Sequence, residues 1–265
     1  MLPDKAPRNP FQPGQTLFFL GDHTAPEDPG YVGVMSGVLA RFHPELRLNL
    51  VSAGAHGQTA GGLRSRTLLD ILTSSKPDWL VVGVGWADAL REPLAAQLLR
   101  EYREKHAEGS NEREVEAMFG PEYHIHAHEN PAPVEDNGPA PELPLERLGM
   151  FREDLNAALG ELRDAGVKQI LLTLAWVGND RTHPVNDVLR AYSRTVRQLG
   201  QEFDCPVVDA ERAFRDFLDR AATYKQQVAL TGKDGKLNAQ GQTLLARTFL
   251  GTFGLLPYPG QRPNR

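Results

Sequence analysis

The sequence predicts an α/β fold around a mostly parallel sheet of five strands. Three observations carry this. Short apolar runs recur at 16–20, 46–52, 79–85, 167–176 and 205–210. Stretches with helical apolar spacing separate them. The third run, WLVVGVG, is almost wholly apolar, as suits a strand covered on both faces. Strands joined through helices call for right-handed βαβ crossovers. The order of the strands across the sheet does not follow from this pattern.

The first strand ends at Gly21 and Asp22, and a helix is expected from about Gly30 to Phe42. LRLNLVS at 46–52 reads as the second strand. The glycines of GQTAGG then permit a tight connection into a helix, whose apolar spacing runs through Leu63, Leu68, Leu69 and Leu72. A helix over 91–107 follows the third strand. From Gly109 to Pro144 the periodicity weakens and Gly, Asn, Pro and Glu accumulate, so 105–145 reads as an insertion in a single domain spanning 1–265. A helix over 145–162 leads through the turn at Gly166 into VKQILLTLAW, the fourth strand. His183 is read as a loop residue, 185–199 as a helix, CPVVDA as a short fifth strand and 211–222 as a helix. Asn238 has the chemistry to cap a final helix reaching about Leu250. The proline-rich tail, 251–265, is expected along the surface.

The chain of 265 residues is long enough to bury a sizeable core. With 29 basic and 34 acidic residues its formal charge is -5, which gives no basic footprint for nucleic acid. The beginning carries prolines and charges where a secretion leader would be apolar, and no stretch reaches the roughly 20 apolar residues of a membrane span. A cytoplasmic location without membrane insertion is the expectation. The single cysteine, Cys205, opens an apolar strand and reads as a buried bystander.

Four short blocks stand at the ends of these strands: LFFLGDHT at 17–24, NLVSAGAHGQTAGGL at 49–63, PDWLVVGVGWAD at 77–88 and KDGKLNAQGQ at 233–242. Through them the chain, from Leu17 to Asp88 and from Leu148 to Leu250, resembles the SGNH, or GDSL, hydrolases. These are esterases and lipases with a flavodoxin-like three-layer α/β/α fold, so the resemblance implies that fold. It also implies site positions. His23 stands where the family has its serine nucleophile, and Ser52 where it has an asparagine. Gly57 stands where the family draws a backbone oxyanion donor, and Ala87 where it has an asparagine donor. Lys233 and Lys236 occupy the places of the acid and the histidine. A slip of one residue would put Asp234 at the acid, but no histidine follows in the block.

Seryl hydrolysis needs a hydroxyl nucleophile, a base in hydrogen-bond reach, an orienter for that base and donors aimed at the developing oxyanion. Losing one side-chain oxyanion donor costs about 3 to 4 kcal/mol of transition-state stabilisation. Losing the hydroxyl removes the covalent route. The expectation is therefore a hydrolase fold without serine-esterase activity, binding a small polar, anionic or acylated ligand through His23, His56, Trp86, Lys233 and Lys236. Two alternatives stand beside it: an ester or acetyl-ester hydrolase with a rearranged site, in which His23 acts as nucleophile or base, and a scaffold or homo-oligomerisation protein. Ser52 is expected to lie too deep to act. No organic cofactor is implied.

Within the insertion, EYHIHAHENPAP sets His124, His126 and His128 at alternating positions. In an extended segment all three imidazoles face one side together with Glu122, a candidate site for a divalent transition metal such as zinc. The competing reading is a polar surface. An insertion after the third strand is also placed to cover the crevice at the carboxyl ends of the strands, or to form a contact between copies.

Overall fold

The computed structural model describes residues 9–21, 30–55, 57–64, 68–107, 143–176, 183–224, 228–231 and 236–257. Its sheet contains β1 (Thr16–Gly21), β2 (Asn49–Ser52), β3 (Trp79–Gly83), β4 (Lys168–Leu172) and β5 (Val207–Val208). All pairs are parallel and the order is β2-β1-β3-β4-β5. The chain leaves β1 to one side for β2 and returns to the other side for β3. In such sheets the ligand crevice opens at that reversal, outside the carboxyl ends of β1 and β3. The register pairs Gly21 with Gly83 at this edge.

Side chains alternate across the sheet, which gives two cores. Leu17, Phe19, Val81, Ile170, Leu172 and Val208 face one core with α1 (Tyr31–Phe42), α8 (Ala210–Thr223) and α9 (Ala239–Thr252). Phe18, Leu20, Leu80, Val82 and Leu171 face the other. That second layer comprises α2 (Ala60–Gly62), α3 (Leu68–Ser74), α4 (Trp86–Leu90), α5 (Pro93–Ala107), α6 (Leu148–Asp164) and α7 (Val185–Glu202). Phe19 shows how tightly β1 is held: its ring lies 5.8 Å from that of Tyr31 and 5.5 Å from that of Phe249. The predicted three-layer α/β/α fold is the observed one.

Four expectations need correction. The second strand starts at Asn49, because Pro44–Leu46 form a short 3-10 turn and Arg47 takes a left-handed conformation, φ 43°, that a strand cannot contain. The helix expected over 91–107 is preceded by the separate α4, and α5 begins at Pro93, where a missing N–H costs the helix nothing. The tail does not simply lie on the surface: Phe253 and Leu255 are 3% and 2% exposed and belong to the first core. The Leu255 carbonyl also meets His43 Nε2 at 3.1 Å. Ser52 is exposed, because β2 turns out to be an edge strand. Most of the 105–145 insertion, and the last residues of the tail, lie outside the described residues. No described helix is long and apolar enough to cross a membrane.

Candidate functional site

The crevice at the carboxyl ends of the strands is bordered by the segments that leave β1, β2 and β3. β1 delivers Gly21 to the edge; Asp22 and His23 lie outside the described residues. After β2 the chain keeps to β1, with Ala53 N–H donating to the Phe19 carbonyl and Ala55 N–H to that of Gly21, both at 3.0 Å. His56 is outside the described residues. Gly57 follows with φ 74°, and a Cβ there would meet nothing within 4 Å, so the backbone conformation is what favours glycine. The Thr59 hydroxyl then caps α2 by accepting from Gly62 N–H at 3.0 Å.

The third segment is tied to the second by Asp88, whose Oδ2 accepts from Ala60 N–H at 3.1 Å. This bond gives the retained aspartate a positioning role: it holds the start of α4 to the start of α2. Gly85 precedes α4 with φ 121°, and a Cβ there would lie 2.9 Å from the Phe151 ring. Ala87 is buried and its methyl side chain offers no donor, while Trp86 is half-buried against the second core.

The turn before α9 is organised by Asn238. Its N–H donates to the Leu230 carbonyl at 3.0 Å and its Nδ2 to that of Ala229 at 2.7 Å. Its Oδ1 caps α9 by accepting from Gln240 N–H at 2.9 Å and Gly241 N–H at 3.0 Å, as the sequence predicted. Thr231 bridges Leu237, which is 7% exposed in the first core. Lys236 is half-buried beside this bridge, and Lys233 lies outside the described residues. Of the residues expected to bind a ligand, His23, His56 and Lys233 thus lie outside the described residues. So does the candidate metal site at His124, His126 and His128. Among the described residues no cluster of three metal-ligating side chains occurs.

Two polar networks near this edge carried no sequence signal. Glu92 is fully buried just after α4. Its Oε1 accepts from the Tyr192 hydroxyl at 2.6 Å and from Arg147 N–H at 2.9 Å, and its Oε2 accepts from Glu146 N–H at 3.0 Å. Burial, then the Glu92 carboxylate, pushes the Tyr192 phenol well above its ordinary range. Beyond β4 and β5, Arg197 grips Asp209 through two bonds of 2.9 and 2.7 Å and also reaches Glu211, which is 1% exposed. Burial alone would raise the Asp209 carboxyl, but Arg197 holds it below the usual carboxylate range. The same network takes in Trp176 Nε1, which donates to Glu211 at 3.2 Å. His183 is a loop residue as expected, yet it is 2% exposed and its ring lies 4.6 Å from that of Tyr102. Burial pushes the half-buried Cys205 thiol up to about 11, which keeps it protonated and weakly nucleophilic at neutral pH.

Compared with known proteins, residues 19–244 match the model of the GDSL-like lipase/acylhydrolase family. The chain belongs to that family. An acetylxylan esterase of Geobacillus stearothermophilus is 24% identical over 255 residues, covering 91% of this chain and 94% of that one. The crystal structure of that organism's acetylxylan esterase Axe2 superposes with a TM-score of 0.61 at 22% identity, over 92% of this chain and 96% of that one. An α/β hydrolase enzyme from the metagenome of Lake Arreo, LAE5, gives 0.63 at 20% identity, over 94% and 99%. These likenesses support the fold. Solved variants of Axe2 are described as catalytic mutants at a serine, an aspartate and a histidine, the last two being three positions apart. In this chain that spacing joins Lys233 to Lys236 and Asp234 to Leu237 in the turn before α9, where there is no histidine; the aspartate and histidine with that spacing are Asp180 and His183, well before that turn, and Asp180 lies outside the described residues.

Proposed function

We propose that this family member binds a small acylated or anionic polar ligand in the crevice at the carboxyl ends of β1 and β3, and forms no seryl intermediate there. One observation carries the reading: the residue that follows Gly21-Asp22 at the end of β1 is histidine, so the hydroxyl that family chemistry requires is missing from the sequence. The buried Ala87 supports it, since a methyl group offers no donor to an oxyanion. The absence of any histidine after position 183 supports it again, because neither register of the 233–237 block supplies a base. The acetylxylan esterase relative makes acetylated sugars the first ligands to try. Trp86 is the candidate stacking surface and Lys236 the candidate cation. Calorimetry with an acetylated xylo-oligosaccharide, on wild type, Trp86→Ala and Lys236→Ala, tests the binding. Saturable heat weakened by either substitution is expected; its absence from wild type would rule the reading out.

A second reading is an acetyl-ester hydrolase with a rearranged site, and the relative's activity, over 91% of this chain, favours it. In that reading His23 is the nucleophile or the base, since an imidazole of ordinary pKa near 6.5 is competent for either at neutral pH. Turnover that depends on His23 would decide for it.

A further inference from the structure

The last residue of the fourth block, Gln242, has a partner that the crevice reading leaves aside. Its Oε1 accepts from the N–H of Tyr31, the first residue of α1, at 2.8 Å. This bond joins α9 to the helix that begins just after the first block. Gln242 is 3% exposed, and among the described residues its buried Nε2 has no hydrogen-bond partner. A buried amide donor left unsatisfied is costly, and native proteins rarely keep one without a water, an ion or a ligand to receive it. Capping alone does not account for it. A glutamate at this position would accept from Tyr31 N–H equally well, would suit the positive end of the α1 dipole better, and would leave no donor over.

The surroundings favour an acceptor bearing negative charge. α1 is twelve residues long, its N-cap Gly30 makes no side-chain cap, and no acidic residue lies in its first turn. Four N–H groups at a helix start lack partners within the helix. Here Val34 makes the first bond within the helix, to the Gly30 carbonyl at 3.1 Å, and Tyr31 is taken by Gln242; among the described residues no partner takes the N–H groups of Val32 and Gly33. Oε1 and Nε2 share one carbon, so the unpartnered donor sits beside this same turn.

We propose that Gln242 Nε2 and the first turn of α1 form a binding site for a small oxyanion, a carboxylate or a phosphate. The site needs no ester chemistry, so it stands or falls independently of the function proposed for the crevice. The test is titration of the full chain with sodium acetate and, separately, with sodium phosphate, at constant ionic strength held with chloride. The proteins are wild type, Gln242→Glu, which keeps the acceptor for Tyr31 and loses the donor, and Gln242→Met, which loses both. Wild type is expected to bind at least one oxyanion above the chloride control, with both variants weakened roughly tenfold or more. The tighter of acetate and phosphate identifies the ligand class. No binding to wild type beyond chloride, or equal affinity in Gln242→Glu, would overturn the proposal. Should both variants misfold, the Gln242 side-chain amide resonances of wild type provide the readout. They are expected to shift on titration, and their constancy at high acetate and phosphate would equally overturn it.

Discussion

Replacing Tyr192 by phenylalanine removes one hydroxyl and almost nothing else. The residue is fully buried on α7, its ring lies 4.8 Å from that of Phe151, and phenylalanine preserves that packing. What is lost is the 2.6 Å bond to Glu92 Oε1. Glu92 keeps the N–H groups of Glu146 and Arg147 but loses one of three donors at a fully buried site. A hydrogen bond to a charged group contributes about 1.5 to 3 kcal/mol, so Tyr192→Phe is expected to cost about 2 kcal/mol. Glu92→Leu should cost more, roughly 3 kcal/mol or above, because it strands a hydroxyl and two backbone donors together. In the double variant both partners of the bond are gone and no hydroxyl is stranded, so the two effects should fall short of their sum by about 1 kcal/mol or more. Urea unfolding at equilibrium measures all three, with the midpoint falling at unchanged slope. A Tyr192→Phe cost below about 0.5 kcal/mol, with additive effects in the double variant, would show that Glu92 is not the anchor joining α4, α6 and α7.

Three further outcomes follow from the packing and the charges. Gly85→Ala places a methyl group 2.9 Å from Phe151 at φ 121°, and should lower stability in urea by about 3 kcal/mol; a neutral result would mean the turn into α4 is not built as described. Leu255→Ala removes a side chain 2% exposed in the first core, at a cost of about 2 to 3 kcal/mol, whereas a tail lying on the surface would give almost none. On acidification, the stability that Asp209 contributes is fully present above the ordinary carboxylate value, near 4, and is lost as pH falls through its depressed folded value. Asp209→Asn should therefore flatten the pH dependence of the thermal midpoint below about pH 4, and an unchanged slope would remove Arg197 as the cause of that depression.

Much of the framework was legible because its signals are local. LFFLG and WLVVG read as strands from composition alone, and Asn238 reads as a cap because its chemistry needs only the next three residues. The misread parts depend on partners far along the chain. Nothing within LRLNLVS shows that Pro44 and Arg47 delay the strand to Asn49. The depth of Ser52 could not be judged before the strand order showed β2 at the edge. Leu255 sits in a glycine- and proline-rich stretch whose burial depends on α1 and α9. At the site, the signals that could be followed are local ones: Gly57 and Gly85 take positive φ in the turns after β2 and β3, and Asp88 ties the start of α4 to that of α2. Glu92 and Gln242 were not visible, for their partners Tyr192 and Tyr31 lie 100 and 211 positions away.

The central claim is that a GDSL-family fold persists here without seryl chemistry, and hydrolysis of p-nitrophenyl acetate by the full chain tests it most directly. Wild type, His23→Ala and Ser52→Ala are compared with buffer under identical conditions. The account predicts that all three release p-nitrophenol at the buffer rate. A wild-type rate well above buffer that His23→Ala or Ser52→Ala abolishes would contradict it, and would make the protein an esterase with a rearranged site.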